Sequence, residues 1–340
     1  MQEIIVKKND AGQRLDKLLA KYLNLAPKSF FYKMLRKKNI TVNGKKVEGS
    51  EKLLVGDRIQ LFLSDETIAN FTEKKQIPIV DKTLSILYED AHILLINKPS
   101  NLLSQKAKKE DISVVELLHS YLLKSGSFTE EDFQGFSPSI CNRLDRNTSG
   151  ILIAGKSLLG LQTMADLLKS RELGKYYLCI VAGEVKEASH IQGYLTKNKE
   201  SNVVSILPKD FSNHSGSIPI TENLVWIETK YKPLASNQQV SLLQVKLVTG
   251  RSHQIRAHLA SIGHPIVGDT KYGNWNVNRF YQKRYLVQSQ LLHAYQLKMP
   301  EISGEFAYLS NKEFIAPYPK IFEDVIKGES LLWEPGILED

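Results

Sequence analysis

The sequence predicts an α+β protein, a small helix–helix–hairpin module followed by a larger body built on a mixed, mainly antiparallel sheet. Helical spacing and an Asn-Gly hairpin signal lie side by side within the first 60 residues. Downstream, β-type runs outnumber helical ones and lack the regular crossovers that a doubly wound parallel sheet needs. Charge divides the chain in the same place. Residues 1–60 hold 14 Lys+Arg against 6 Asp+Glu, which leaves 31 of each sign in the rest, so the formal net charge of +8 belongs entirely to the first 60 residues. The expected boundaries are 1–72 for the module, 73–84 for a linker and 85–325 for the body.

Within the module, Arg14 to Leu23 has Leu15, Leu18, Leu19 and Tyr22 at i, i+3, i+4 and i+7, an amphipathic helix. Pro27 suits the first turn of a second helix, where Phe31, Met34 and Leu35 form the apolar stripe and Lys33, Arg36 and Lys37 lie off it. "ITVNGKKV" then places two β-type runs around Asn43-Gly44, a pair that favours the positive φ of a tight hairpin. "VGDRIQLFL" closes the unit, and the polar "SDETIANFTEKKQIP" reads as linker. A basic module on a neutral body suggests a polyanion-binding appendage, although a solvated basic face has the same composition. The order of elements from "GQRLDKLLAKYLNLAPKSFFYKMLRKKNITVNGKKV" to "VGDRIQL" resembles the S4 RNA-binding domain over residues 10–63. The resemblance implies RNA rather than DNA or a membrane as partner, with Arg14, Lys28, Lys33, Arg36, Lys37, Lys38 and Lys45 as the contact residues.

In the body, "LSILYEDAHILLINKPSNLL" alternates β-type runs with turns and stops at Lys98-Pro99, "SVVELLHSYLLK" is helical, and "GSFTEEDFQGFSPS" reads as a loop. After residue 156 an amphipathic helix has Leu161, Met164, Leu167 and Leu168 on one side. "KYYLCIVAGEV" is a strand ended by Gly183, and "SLLQVKLV" reads as half-buried, with Leu243, Val245 and Leu247 alternating against polar positions. "QIRAHLASIG" is a helix with Ile255, Leu259 and Ile262 as its core stripe. There is no internal repeat, no low-complexity tract and no glycine-rich nucleotide fingerprint. No apolar stretch approaches the roughly 18 to 20 residues that span a bilayer. "MQEIIVKKND" has no signal-peptide core, and two cysteines, Cys141 and Cys179, are too few for a disulfide framework. A cytoplasmic protein without membrane contact is expected.

Two segments carry candidate chemistry. "CNRLDRNTSG", residues 141–150, sets Asp145 between Arg143 and Arg146 on a small-residue loop just before the apolar run Ile151–Ala154. "VTGRSHQIRAHLASIGHPIVGD", residues 248–269, is dense in His and Arg. His253 and His258 are five apart, about 140° around a helix, so they do not share a face as metal ligands at i, i+4 would. Histidines that satisfy backbone groups are the expected reading, and no metal is expected. Arg256 lies beside the apolar stripe and needs an anionic partner, since an unpaired buried charge is costly. Asp145 fits that need; the arginine would keep the carboxylate ionised and fix its direction. On these residues alone a structural salt bridge looks the same.

Taken in order, "NRLDRNTSG", "GKYYLCIVAGEV", "VTGRSHQIRAHLASIGHPIVGD" and "LLHAYQL" resemble the RluA-type family of RNA pseudouridine synthases, and "LYEDAHILLINKPS" fits the same family upstream. With an S4-like module in front, the chain resembles the large-subunit ribosomal branch of type C. The similarity spans most of residues 10–300, with loop insertions near 105–138 and 198–222. It implies that Asp145 is the essential aspartate, that Tyr177 lies beside the base and that Arg256 pairs with the aspartate. By the same resemblance Arg143 enters the space left by a flipped base, and Leu292, or equally Leu291, lines the base pocket. Asn142 departs from the family, which usually has His there, and this puts in question how the loop is held. The resemblance implies isomerisation of uridine in RNA, 23S-type ribosomal RNA or an assembling large subunit, by a monomer with no cofactor. A non-catalytic RNA-binding protein with a retired synthase body is the rival reading, which loss of Asp145, Tyr177 or Arg256 would have favoured. A metal-dependent RNA hydrolase is a third, opposed by the histidine spacing.

Overall fold

The computed structural model describes residues 1–73, 77–198, 200, 201, 203–209 and 224–339. Most of the insertion expected near 198–222, and residues 74–76 of the expected linker, lie outside the described residues. The chain forms two compact units, one of residues 1–95, 105–142 and 153–166, the other of residues 96–104, 143–152 and 167–340.

The first unit begins with β1 (Gln2–Ile5), α1 (Leu15–Tyr22), α2 (Lys28–Arg36), β2 (Ile40–Val42), β3 (Lys45–Lys46) and β4 (Arg58–Leu61), with sheet order β1-β4-β2-β3. Leu15, Leu18 and Leu19 of α1 meet Phe31 and Leu35 of α2 in one apolar cluster with Ile40 and Ile59, as the helical spacing requires. Asn43 (φ 54°) and Gly44 (φ 73°) make the hairpin turn that pairs Val42 with Lys45. The stretch expected to be wholly linker contains a helix, α3 (Asp65–Phe71). Ser64 caps it by accepting from the Thr67 N–H, Asp65 and Glu66 complement the dipole, and Ile68 is buried.

The chain continues with β5 (Ile86–Glu89), β6 (Ile93–Lys98), α4 (Val114–Lys124), α5 (Asp132–Gly135), β7 (Ser139–Ile140), β8 (Ser149–Gly155) and α6 (Leu158–Ser170). Helix α4 starts on a capping box between Ser113 and Glu116. The loop expected over 126–139 holds the single turn α5, against which the N-terminal module packs. Lys7 Nζ lies 2.6 Å from Asp132, and Lys21 Nζ donates to the Gly135 carbonyl at 3.0 Å.

The second unit holds β9 (Gly174–Ala182), β10 (Ser189–Lys197), β11 (Val204–Pro208), β12 (Val225–Ser236), β13 (Val240–Leu247), α7 (Gln254–Ser261), α8 (Trp275–Tyr285), β14 (Leu292–Lys298), β15 (Glu313–Ile315) and α9 (Lys320–Gly328). Its strands run in the order β11-β10-β12-β13-β9-β14, with β15 on β14. The pairs are antiparallel except where the start of β8 lies parallel to β14, with His293 opposite Ser149 and Ala294 opposite Gly150.

Strand β13 corrects an expectation. It is central, between β12 and β9, and is buried on both faces from Val240 to Val245, including Ser241 and Gln244. The polar alternation does not mark a wet face, because Ser241 bonds the Val185 N–H and the Gly183 carbonyl, and Gln244 donates to Glu339 O. Helix α7 likewise has no single core stripe. Gln254 through Leu259 are all buried, and Ile262 falls past its end, half-buried. One apolar cluster joins Tyr176, Leu178 and Ile180 of β9 to Leu291, Phe322, Leu331 and Leu338, so the C-terminal tail is part of the core.

Candidate active site

The loop carrying Asp145 is fixed by polar contacts at many points. At its base the Asn142 Oδ1 accepts from the Ile153 N–H at 2.8 Å, and the Cys141 N–H donates to Ile153 O at 2.7 Å. Asn142 thus holds the loop through its side-chain carbonyl. Residues 98–104 hold the loop's own carbonyls. Ser104 Oγ donates to Leu144 O and accepts from the Leu144 N–H, and Ser100 Oγ donates to Asn147 O. Lys98, fully buried, donates to Arg146 O at 3.0 Å, Leu102 O at 2.8 Å and Pro99 O at 3.0 Å. Burial pushes its pKa down to about 7, while the charge of Asp145 pulls the other way. Beyond the loop, Gly150 (φ 107°) lies so close to β14 that a Cβ would sit 2.2 Å from Ala294 O. Only glycine fits there.

Asp145 receives Arg256 from α7. Arg256 Nη1 donates to Asp145 Oδ2 at 2.8 Å, while Nε and Nη2 grip Asp269 at 2.7 and 2.9 Å. One guanidinium therefore commits its fork to a fully enclosed carboxylate and turns its remaining edge to a half-exposed one. Burial opposes the charge on Arg256, but hydrogen bonds and charge from Asp269 and Asp145 outweigh it and raise its pKa. Burial likewise opposes ionisation of Asp269, yet Arg256 and the N–H groups of Lys271 and Tyr272 hold its pKa below the usual carboxylate range. Asp269 was not among the expected site residues; in sequence it is one acid after a Gly in "HPIVGD", with nothing to mark it as Arg256's main partner.

His253, in left-handed backbone (φ 57°), opens α7 with Nε2 3.9 Å from Asp145 Oδ2. Its Nδ1 bonds the Tyr272 hydroxyl at 2.9 Å, and the Tyr272 ring lies under the Arg256 guanidinium at 5.2 Å. Burial lowers the His253 pKa, with Asp145 opposing and Arg256 reinforcing the shift.

Other expected residues fall into clear groups. Tyr177 on β9 is buried, and burial followed by the Asp145 charge pushes its phenol up, so it stays neutral. Leu292 and Leu291 separate. Leu292 is register partner to Cys179, on the face shared with Tyr177, whereas Leu291 joins the apolar cluster of Tyr176, Leu178 and Ile180 on the other face. Arg143 is exposed and makes no side-chain hydrogen bond or ion pair among the described residues. Arg146 points to Asn101 Oδ1 at 3.1 Å. The two sequence neighbours of Asp145 therefore do not pair with it; Arg256 does.

In the N-terminal module Lys28, Lys33, Arg36, Lys37, Lys38 and Lys45 are exposed and unpaired among the described residues, whereas Arg14 is bound to Asp16 at 2.9 Å. His258 and His264 serve local structure. His258 Nδ1 bonds Thr229 Oγ1, and burial pushes its pKa down to about 4; His264 Nδ1 donates to Ala182 O. Among the described residues no group of three or more His, Cys, Asp or Glu could hold a metal ion, and no helix is long and apolar enough to cross a membrane.

Comparison with known proteins finds relatives of the chain. Residues 92–261 match the family model described as RNA pseudouridylate synthase, and residues 13–59 match the S4 domain. The ribosomal large subunit pseudouridine synthase C of Escherichia coli (strain K12) is 30% identical over 300 residues, covering 87% of each chain. An uncharacterized RNA pseudouridine synthase of Mycoplasma genitalium is 29% identical over 313 residues, 91% of this chain and 93% of that one. The structure of human RNA pseudouridylate synthase domain containing 4 shares the fold, with a TM-score of 0.59 at 20% identity over 74% of this chain and 95% of that one.

Proposed function

Because the chain belongs to the RNA pseudouridylate synthase family, we propose that it converts uridines of large-subunit ribosomal RNA to pseudouridine, with Asp145 as the reacting carboxylate. The observation that supports this most is the chain Asp145–Arg256–Asp269. A carboxylate that must act while ionised is hydrogen-bonded to a guanidinium whose own charge is secured by a second, buried acid. The naming of the relatives as ribosomal large subunit synthases supports the substrate.

The isomerisation breaks the N1–C1′ bond, turns the uracil in place and rejoins it through C5. One proton leaves C5 and one ends on N1, so there is no net redox change. Asp145 acts at the ribose end of the broken bond. A uridine must leave its stack, at a cost of about a few kcal/mol, to reach it. Tyr177 supplies a neutral aromatic wall for the base, Leu292 an apolar one, and Leu291 is assigned to the core. Arg143 is unpaired and extends to fill the vacated position in the RNA. The exposed cations of the N-terminal module hold the RNA backbone. We further assign the enzyme to the cytoplasm as a monomer.

Asp145→Asn keeps the shape and the Arg256 contact but removes the charge. Isomerisation, read by pseudouridine mapping of a ribosomal RNA transcript, is expected to fall by about 10⁴-fold, the upper range for loss of one acid–base group. Binding of the transcript should persist. Substantial turnover by the purified variant would overturn the assignment, and mapping ribosomal RNA from cells with and without the protein identifies the target uridines.

A further inference from the structure

We propose that the outer face of α8 is a second RNA-binding surface, which stacks a base of the substrate strand on Trp275 and holds neighbouring phosphates with Arg279 and Lys283. The inference rests on the reading that the substrate is RNA; what it adds is a surface outside both the N-terminal module and the Asp145 pocket. Helix α8, WNVNRFYQKRY, carries three basic residues and no acid. Trp275 is 67% exposed at its first position, so its ring is open to solvent beside the basic residues of the helix. Trp275, Arg279 and Lys283 fall at i, i+4 and i+8, within an arc of about 80° at 3.6 residues per turn. The Arg279 guanidinium lies over the indole at 5.1 Å. No salt bridge neutralises Arg279 or Lys283 among the described residues, whereas Arg284 is committed to Glu329 at 3.7 Å and is not part of the proposal. Unpaired cations interleaved with an exposed aromatic suit single-stranded nucleic acid: the ring offers stacking to any base and the cations meet phosphates. An acidic protein would match the charge, but only a single-stranded nucleic acid brings a phosphate and a stackable base together at every step along its chain.

The helix is also tied to the reacting centre. Asn278 on its inner side accepts from the Gly268 N–H at 2.7 Å and donates to Asp269 O at 2.8 Å. Asp269 is the residue that grips Arg256. RNA held on the outer face of α8 is therefore anchored on an element bonded to the loop behind Asp145, and strand flanking the flipped uridine is the segment it fits.

The test is equilibrium binding of the full-length protein to a large-subunit ribosomal RNA transcript over a range of salt. Trp275→Ala should weaken binding on the order of tenfold, the scale of one base–aromatic stack, with an unchanged salt slope because no charge is removed. Trp275→Phe should recover most of the affinity. Arg279→Gln and Lys283→Gln should each make the slope of log K against log salt shallower by about 0.7, as when one fewer phosphate is neutralised on a single strand. Thermal melting controls for folding. Wild-type affinity in Trp275→Ala, or unchanged slopes in both cation variants, would overturn the proposal. Turnover of the same transcript by the wild type is measured separately. Its absence counts against the ribosomal substrate, and the α8 comparison is then made on the RNA that the enzyme does isomerise.

Discussion

The N-terminal module and the Asp145 pocket use charge in opposite ways. In the module, Lys33, Arg36, Lys37 and Lys38 stand in solvent without partners, so their charge is unneutralised and available to a polyanion. In the pocket every buried charge is answered. Asp269 has the Arg256 fork, Arg256 has two carboxylates, and the Lys98 ammonium has three carbonyls. Exposed cations cost little to maintain and act at a distance set by salt; buried ions are costly unless each is matched in place. The first arrangement suits binding, the second a fixed geometry. Substitutions should therefore act on affinity in one region and on stability and rate in the other.

The largest effect should come from breaking the Asp145–Arg256–Asp269 chain at its buried end. Asp269→Asn leaves the guanidinium half-compensated, and loss of one partner from a buried pair costs about 3–5 kcal/mol. Denaturant unfolding should show that loss, and single-turnover isomerisation should fall with it because Arg256 no longer aims Asp145. A sharper version replaces both partners, Arg256→Met with Asp269→Leu. Apolar replacement of a buried pair is often neutral for stability, but the Lys271 and Tyr272 N–H groups lose their acceptor, so the double variant should regain part of the stability without regaining activity. Recovery of both would reduce the triad to a structural bridge.

How much of this was legible beforehand follows from the same contrast. Helices α1 and α2 and the hairpin are local, fixed by spacing of leucines and by Asn43-Gly44, and a short window of sequence contains all of that information. Arg256 and Asp145 were legible as a pair because a buried guanidinium demands an acid. Its stronger partner was not. Asp269 becomes the main ligand only because a loop turns back on α7, and no periodicity records that. Arg143 and Arg146 flank Asp145 in sequence, but adjacency on a loop does not bring their side chains onto its carboxylate. Helix α3 was hidden by polarity, and β13 looked half-wet because Ser241 and Gln244 are polar; in the fold both are buried and donate to backbone carbonyls. Lys98 read as a strand end, and its complete burial is a property of the packed loop.

Lys98 gives an intermediate prediction. Its pKa is lowered to about 7 in the folded protein, mainly by burial, against an ordinary 10.5. Between those values the unfolded chain binds the extra proton, so stability should rise with pH across that window and be insensitive to this group below 7. The slope contributed by one proton is at most about 1.4 kcal/mol per pH unit. Lys98→Met, which keeps the length and removes the charge, should lose that rise, as read from unfolding curves from pH 6 to 10. Parallel profiles for the two proteins would mean that the carbonyl cage holds the ammonium charged throughout.

The smallest effect belongs to the module. Deleting it would test the wrong thing, because Lys7 and Lys21 bind α5, and removal would uncover that turn as well as take away charge. Neutralising Lys33, Arg36 and Lys37 to Gln in the full chain removes charge alone. None of the three has a structural partner among the described residues, so the melting temperature should stay close to wild type. Each phosphate that is no longer neutralised should make the salt slope shallower by about 0.7 to 0.9, so the slope of the triple variant should fall by about 2 to 3 if all three side chains touch RNA. Affinity should drop most at low salt and converge with wild type as salt rises, since the attraction removed is the part that salt screens. Saturating RNA should restore turnover, because Asp145, Tyr177 and Arg256 all belong to the other unit. An unchanged slope would mean that the module's exposed cations face solvent in the complex. A rate that stays low at saturating RNA would mean that the module shapes the reacting site, and the division between binding charge and reacting charge would fail.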